Sequence, residues 1–227
     1  MRKFFIPLIL LFILAGCNTN PPIHPSLLPS VDSLMNSRPD SAYNVLNAIP
    51  EGSVRTRRDK AYYALLLTQA RHKNYIPLRN DSLIDIAVNY YRGSRNHEKY
   101  AKSLLYKGIC VEEMNDPQKA MEIYAEAEKI ALQTNDYLTT GLINSQMAWL
   151  YQKIYIENQV DIDRYKRSME YFRLAGHKRN EYSVASLLGQ KYRSTAQLDS
   201  AYHYLHMALD LAREMEDSVA LFHNYSL

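Results

Sequence analysis

The fold of this chain is decided by residues 186–210, which read SLLGQKYRSTAQLDSAYHYLHMALD. Ala201, Leu205 and Ala208 follow one another at intervals of four and three residues, which places their side chains on one face of a helix. A small residue, Gly189, stands in the apolar stretch before them. Small residues are expected where two helices cross, because a large side chain would force the axes apart. The segment therefore predicts two closely packed helices joined by a short turn.

The same arrangement recurs along the chain as two interleaved series of small residues. The first series is spaced by 40, 40 and 41 residues and the second by 40, 41 and 40. A period that holds over four copies predicts a stack of antiparallel helix pairs. Bulky residues three positions before the second series, such as Tyr124, are expected to fill the space around the small ones. The two series are Thr68, Gly108, Ala148 and Gly189, and Ala87, Ala127, Ser168 and Ala208.

These motifs resemble a known repeat family. LGQKY (188–192) and AYHYLHMA (201–208) resemble the signature of the tetratricopeptide repeat (TPR), and AMEIYAEA (120–127) matches nearly as well. Asp161 and Asn80 depart from the pattern, since alanine is usual at both positions. The period of about 40 residues exceeds the usual 34 and is similar to that of a longer-helix TPR variant.

The resemblance implies an all-α fold, a right-handed α-solenoid of TPR-like antiparallel helix pairs. Four repeats of about 40 residues are expected in 55–216, preceded by a partial helix pair in 31–50. Residues 217–227 would form the truncated helix of a fifth repeat. Its apolar side chains need a cover, which favours a longer protein over a partner that pairs there.

The N-terminus predicts export. Residues 1–16 combine a basic start with an apolar stretch that is shorter than the roughly 20 residues of a membrane-spanning helix, as in a secretory signal peptide. LAGC (14–17) resembles the lipobox of bacterial lipoproteins, which implies lipidation of Cys17. The alternative is an ordinary signal peptide in which Cys17 stands by chance. Residues 17–30, rich in proline and polar groups, are expected to form a flexible tether.

Charge and cysteine content narrow the function. The formal charge is +3, but without Arg2 and Lys3 of the signal peptide 25 basic residues face 24 acidic ones. A nearly neutral body gives no electrostatic reason to expect nucleic-acid binding. Once Cys17 is lipidated, only Cys110 of the chain's 2 cysteines remains, so an intrachain disulfide is excluded. Cys110 is predicted to be a small buried apolar residue between Ile109 and Val111.

The tether, the partial helix pair in 31–50 and the stretch ALLLTQA (64–70) together resemble the TPR lipoproteins and regulators of the Bacteroides group. This implies an exported protein–protein interaction scaffold, anchored through Cys17 to the inner or outer membrane of the cell envelope. No enzyme activity, cofactor or small-molecule substrate is expected. Two alternatives stay open, an envelope-assembly TPR lipoprotein of the β-barrel assembly type and a glycan-binding lipoprotein of the starch-utilisation type.

Helical solenoids bind partners along the concave face, which the first helix of each pair lines. Trp149, the only tryptophan, is either a binding residue in this groove or a packing residue between helices. His203 and His206 share a helix face but have no acidic or cysteine partner nearby, so no metal site is predicted. The candidate groove residues are Tyr62, Leu65, Gln69, Lys102, Leu105, Ile109, Glu112, Ser145, Trp149, Gln152, Gln190 and Arg193.

Overall fold

The computed structural model describes residues 20–154 and 159–225, so the predicted signal peptide and Cys17 lie outside the described residues. The described part consists of eleven α-helices joined by short turns. They are α1 (Leu27–Leu34), α2 (Pro39–Asn47), α3 (Arg57–Lys73), α4 (Ser82–Arg92), α5 (His97–Glu113), α6 (Pro117–Ala131), α7 (Tyr137–Ile154), α8 (Gln159–Leu174), α9 (Lys178–Ser194), α10 (Leu198–Glu214) and α11 (Ser218–Tyr225).

Local sequence signals set where the helices begin. Asp116 caps α6, since its carboxylate accepts a hydrogen bond from the backbone N–H of Lys119 at 3.1 Å, and Pro117 is the first helical residue. Thr56 caps α3 in the same way through the N–H of Asp59 at 3.0 Å. These caps satisfy backbone N–H groups that have no partner inside the helix.

Five of the turns repeat one geometry. In each, a residue with a φ of 52° to 65° follows the helix, and the N–H of the next residue bonds to a carbonyl five positions back, as in Asp116 to Val111 at 3.2 Å. This is the Schellman arrangement, which satisfies the last carbonyls of a helix and reverses the chain. The left-handed residues are Tyr75, Asn115, Gly176, Ala196 and Glu216.

The helices pair in sequence, α3 with α4, α5 with α6, α7 with α8 and α9 with α10, and each pair also contacts the next. The prediction of an all-α stack of antiparallel helix pairs is therefore confirmed. Glycines mark the closest approaches, since a Cβ added at Gly108 would lie 2.3 Å from the Tyr124 ring and one at Gly189 2.7 Å from Leu205. In the third pair the glycine in closest contact is Gly141, which meets Phe172.

The first helices α3, α5 and α7 lie next to one another and form an inner layer. Helix α5 contacts both α3 and α7, whereas no two second helices share an extended contact within the described residues. A stack whose first helices approach one another more closely curves towards them. Between α3 and α7 the first helices therefore lie on the inner side of the stack, the side on which the groove residues are expected.

The N-terminal segment differs from the flexible tether expected for residues 17–30. From Asn20 onward it is held against the body, and its Ile23 N–H bonds to the carbonyl of Ser53 at 3.1 Å. Helix α1 already begins at Leu27, because Leu28 and Val31 are buried in a core shared with α2 and α3. Sequence reasoning placed the helix later because of the prolines, but a proline in a first turn costs no intrahelical hydrogen bond.

The C-terminal helix α11 packs against the last pair. Ala220 is buried, and its carbonyl accepts a hydrogen bond from the Tyr182 hydroxyl at 3.2 Å. Val219 and Phe222 are largely exposed, so part of this helix presents apolar side chains to solvent. None of the helices in residues 20–154 and 159–225 has the length and apolar character of a membrane-spanning segment.

Candidate partner-binding cleft

Four of the predicted groove residues meet in one cleft, which we call the Trp149 cleft. Ile109 and Glu112 come from the last turns of α5, and Ser145 and Trp149 from α7. The cleft has a volume of about 410 Å³. Trp149 retains 49% of its surface area exposed, so this ring is available to a partner. Other lining residues are His72, Glu113, Gln146, Tyr165, Ser183, Val184 and Leu187.

Glu112 is the most constrained acidic group of the Trp149 cleft. Its carboxylate accepts a hydrogen bond from the Tyr124 hydroxyl at 3.1 Å. Burial raises the pKa of Glu112, while hydrogen bonds from Tyr124 and Trp149 and the charge of Lys153 act in the opposite direction. A half-buried carboxylate beside an exposed indole suits a partner that offers an apolar side chain and a hydrogen-bond donor or cation.

Glu113 lines the Trp149 cleft and also stabilises a neighbouring turn. Its carboxylate accepts a hydrogen bond from the backbone N–H of Leu78 at 2.7 Å, which ties the turn between α3 and α4 to α5. It also lies 3.9 Å from His72 Nδ1. Burial lowers the pKa of His72, and the Glu113 charge partly opposes this shift. The pair fixes the wall of the Trp149 cleft that α3 contributes.

A second group of predicted residues lines a neighbouring cleft, which we call the Gln190 cleft. Gln152 of α7 faces Gln190 and Arg193 of α9 across a space of about 910 Å³. Leu187 lines both clefts, so the two adjoin at this residue. Several glutamine amides and the Arg193 guanidinium line this part, and these groups suit a peptide backbone or acidic side chains.

The remaining predicted groove residues lie elsewhere. Leu65 and Leu105 are each only 1% exposed and Gln69 is buried, so these three belong to the core and correct the prediction. The inner helices touch one another along these positions, which leaves no room for a partner. Tyr62 donates a hydrogen bond to Asp32 at 2.5 Å, far from Trp149. Lys102 is half-buried and lines neither of the two clefts.

Sequence reasoning missed Leu187 and Tyr165 as cleft residues. Leu187 stands three positions before Gln190, so the helical spacing from that predicted residue identifies it. Tyr165 comes from a second helix, α8, and stands three positions before Ser168, where the repeat pattern predicts only a packing residue. Its ring is almost fully buried and lines the cleft, which the sequence pattern does not indicate.

The remaining side chains that could carry out chemistry are packed against their neighbours. Cys110 is buried as predicted, and burial raises the pKa of this thiol to about 12. His206 packs its ring on Tyr202, with the centroids 4.2 Å apart. Within residues 20–154 and 159–225, no three His, Cys, Asp or Glu side chains come together as metal ligands would.

Comparison with known proteins supports the fold. No family profile matches the chain. A structure titled "Crystal structure of BtubC (BKLC) from P. vanneervenii" superposes with a TM-score of 0.57 at 16% identity, covering 88% of this chain and 82% of that one. The fold is that of a TPR-like helical-repeat protein.

The comparison with curated proteins gives a distant sequence relative. The transcriptional activator NprA of Geobacillus stearothermophilus is 24% identical over 166 residues, which is 73% of this chain. The chain spans 40% of the length of that activator.

Proposed function

We propose that this chain is a regulatory scaffold that binds a protein or peptide partner along the Trp149 cleft. The observation that carries the proposal is the half-exposed Trp149 ring at the centre of a concave depression. Aromatic side chains in such positions contribute strongly to binding when a partner covers them. The partly exposed Leu187 extends the apolar surface above the buried Ile109, and Glu112 adds one polar group.

The regulatory part of the proposal is supported by the likeness to a transcriptional activator. The envelope part is supported by the lipobox-like LAGC (14–17). We propose that Cys17 carries the lipid and that the body faces the periplasm. Metabolic labelling with a fatty-acid analogue checks this assignment, since the wild type should be labelled and Cys17→Ser should not.

The cleft is tested by site-specific crosslinking in the producing cells. A photoreactive amino acid at Ser145 should crosslink a discrete partner, and the same group at Tyr202 on the outer face of α10 should not. Trp149→Ala should weaken binding of the identified partner peptide by at least about tenfold, as expected for an aromatic hot spot. The matched control Tyr202→Ala, which removes another exposed aromatic ring, should leave affinity unchanged.

The wild-type protein carries its own probe, because Trp149 is the only tryptophan. Partner binding should shift its emission to shorter wavelength as the ring is covered. Full affinity in Trp149→Ala, or tight binding of a soluble glycan in calorimetry, would reject the proposal.

A further inference from the structure

A basic pocket lies at the opposite end of the inner helices from the Trp149 cleft. It is formed where α3 and α5 begin and α4 ends, and its volume is about 810 Å³. Arg58, Arg95 and Lys99 line it together with His97, and Glu98 is the one carboxylate among its lining residues. Tyr62 and Tyr90 supply aromatic walls, with the Lys99 ammonium 4.4 Å from the Tyr62 ring centroid.

The cations of the basic pocket differ from those farther along the same edge. Where α8, α9 and α10 end or begin, Arg173 pairs with Glu181, Lys178 with Glu214, and Arg179 with Asp217. In the described part of the chain, by contrast, no ion pair involves Arg58, Arg95 or Lys99. Among the described residues, these three cations of the basic pocket are therefore not held in ion pairs, whereas the three cations at the later repeats are.

The basic pocket stands beside the point where the chain enters the body. Arg55 donates a hydrogen bond to the carbonyl of Asn20 at 2.8 Å, and Asn20 donates one to the carbonyl of Glu51 at 2.9 Å. Three residues of extended chain reach at most about 10 Å. Cys17 stands three residues before Asn20 in the sequence, and Arg58 three residues after Arg55.

We infer that the basic pocket and the residues around it bind the anionic phospholipid headgroups of the membrane that holds the anchor. This inference rests on the proposed lipidation of Cys17. Arg58, Arg95 and Lys99 offer guanidinium and ammonium donors to phosphodiester oxygens. Tyr62 and Tyr90 have the amphipathic character that suits the boundary between headgroups and acyl chains.

The consequence is a fixed orientation of the scaffold. The edge where the first helices begin lies on the membrane, so the edge where they end points away from it. Helix α5 has 17 residues, which corresponds to a length of about 25 Å. Glu112 lies at the end of α5 and Trp149 in the second half of α7, so this wall of the Trp149 cleft is thereby held clear of the headgroups and open to a partner.

Vesicle binding of the unlipidated body, residues 18–227, tests the inference. All buried core clusters lie between Leu28 and Ala220, so this body keeps its complete core. It should cosediment with phosphatidylcholine vesicles that contain about 30% phosphatidylglycerol and not with phosphatidylcholine alone, and added salt should release it. Its 25 basic and 24 acidic residues exclude net charge as the cause of binding.

Two double variants with the same change in charge separate the basic pocket from the remaining surface. Arg58→Glu with Arg95→Glu should weaken vesicle binding by at least about tenfold, since each lost cation near the surface is worth about fivefold. Arg79→Glu with Lys119→Glu alters two exposed cations at the opposite edge and should bind as the wild type does.

Equal loss in both double variants, or no binding of the wild type to anionic vesicles, would overturn the inference. Thermal stabilisation by inorganic phosphate without vesicle binding would also overturn it, because the pocket would then take a soluble phosphate. If the proposed lipidation of Cys17 is wrong, mass spectrometry of the membrane-extracted chain will show an unmodified Cys17. Failure of the Trp149 cleft appears only in the crosslinking and affinity measurements.

Discussion

Gly108 and the Tyr124 ring meet so closely that a Cβ on the glycine would lie 2.3 Å from Cε1 of the tyrosine. The ring has no room to yield, since Tyr124 is fully buried and its hydroxyl donates a hydrogen bond to Glu112 at 3.1 Å. The contact therefore couples the packing of α5 on α6 to the position of a carboxylate in the Trp149 cleft. A single methyl group at Gly108 would disturb both.

Gly108→Ala should lower the free energy of unfolding by about 2 kcal/mol, because overpacking a filled core outweighs the better helix propensity of alanine. Urea denaturation followed by circular dichroism measures the change. Gly93→Ala is the control, since no atom lies within 4 Å of a Cβ added there and its φ is negative. Equal stability of the Gly108 variant and the wild type would mean that the two helices can separate without cost.

A substitution in one of the Schellman turns is expected to raise the free energy of unfolding instead of lowering it. Ala196 has a φ of 56° although it carries a Cβ, and its side chain is exposed. Ala196→Gly should raise the free energy of unfolding by about 0.5 kcal/mol, because the relief of left-handed strain exceeds the entropy cost of glycine. Gly176→Ala, at the equivalent turn with a φ of 65°, should lower it by about 1 kcal/mol. Denaturation midpoints that move in the same direction would contradict this account.

The spacing of small residues predicted the helix pairs, because the two helices of each pair cross at the same position of the repeat. Gly108 and Gly189 take the crossing positions assigned to them, each against the bulky residue expected, Tyr124 or Leu205. The docked start of the chain was not predictable in this way. This segment is held by contacts with residues far along the chain, such as the backbone hydrogen bond from Ile23 to Ser53, and no local sequence pattern indicates them.

The candidate cleft was predicted only in part for a related reason. Helical register identifies which residues face the inner side, so Trp149 and Glu112 were found. Register does not give the distance between neighbouring first helices, and this distance decides whether a side chain is open or covered. Leu65 and Leu105 face the same side as Trp149 but are covered by the adjacent helices.

Asp161 departs from the repeat pattern for a reason that the structure supplies. Its carboxylate, only 2% exposed, forms an ion pair with the Lys191 ammonium of the next repeat. Lys191→Met should lower the free energy of unfolding by about 3 kcal/mol, because a buried carboxylate is left without its counter-charge. Urea denaturation provides the measurement.

The double variant Asp161→Ala with Lys191→Met should recover most of that loss, since it restores alanine at the usual repeat position and removes both charges. Lys178→Met breaks a solvent-exposed pair with Glu214 and should change stability by less than about 1 kcal/mol. If the double variant is no more stable than Lys191→Met, the ion pair is not the source of the loss.

Tyr165 makes the stability of the fold sensitive to alkaline pH. Burial raises the pKa of its hydroxyl above the ordinary value of 10, and the Asp161 charge adds to the shift. The folded chain therefore keeps this proton while the unfolded chain releases it, so the contribution of this hydroxyl to the free energy of unfolding falls as pH rises above about 10, by about 1.4 kcal/mol per pH unit. Below that pH the contribution is complete.

Tyr165→Phe removes this titration together with one long hydrogen bond, 3.4 Å, to Gln152. The variant should be about 0.5 kcal/mol less stable than the wild type at pH 7. At pH 11 the difference should shift by about 1.4 kcal/mol in favour of the variant. Tyr75→Phe, whose side chain is 95% exposed, should follow the wild type at both pH values in urea denaturation. Parallel curves for wild type and Tyr165→Phe would show that the buried hydroxyl ionises in the folded chain as readily as in the unfolded one.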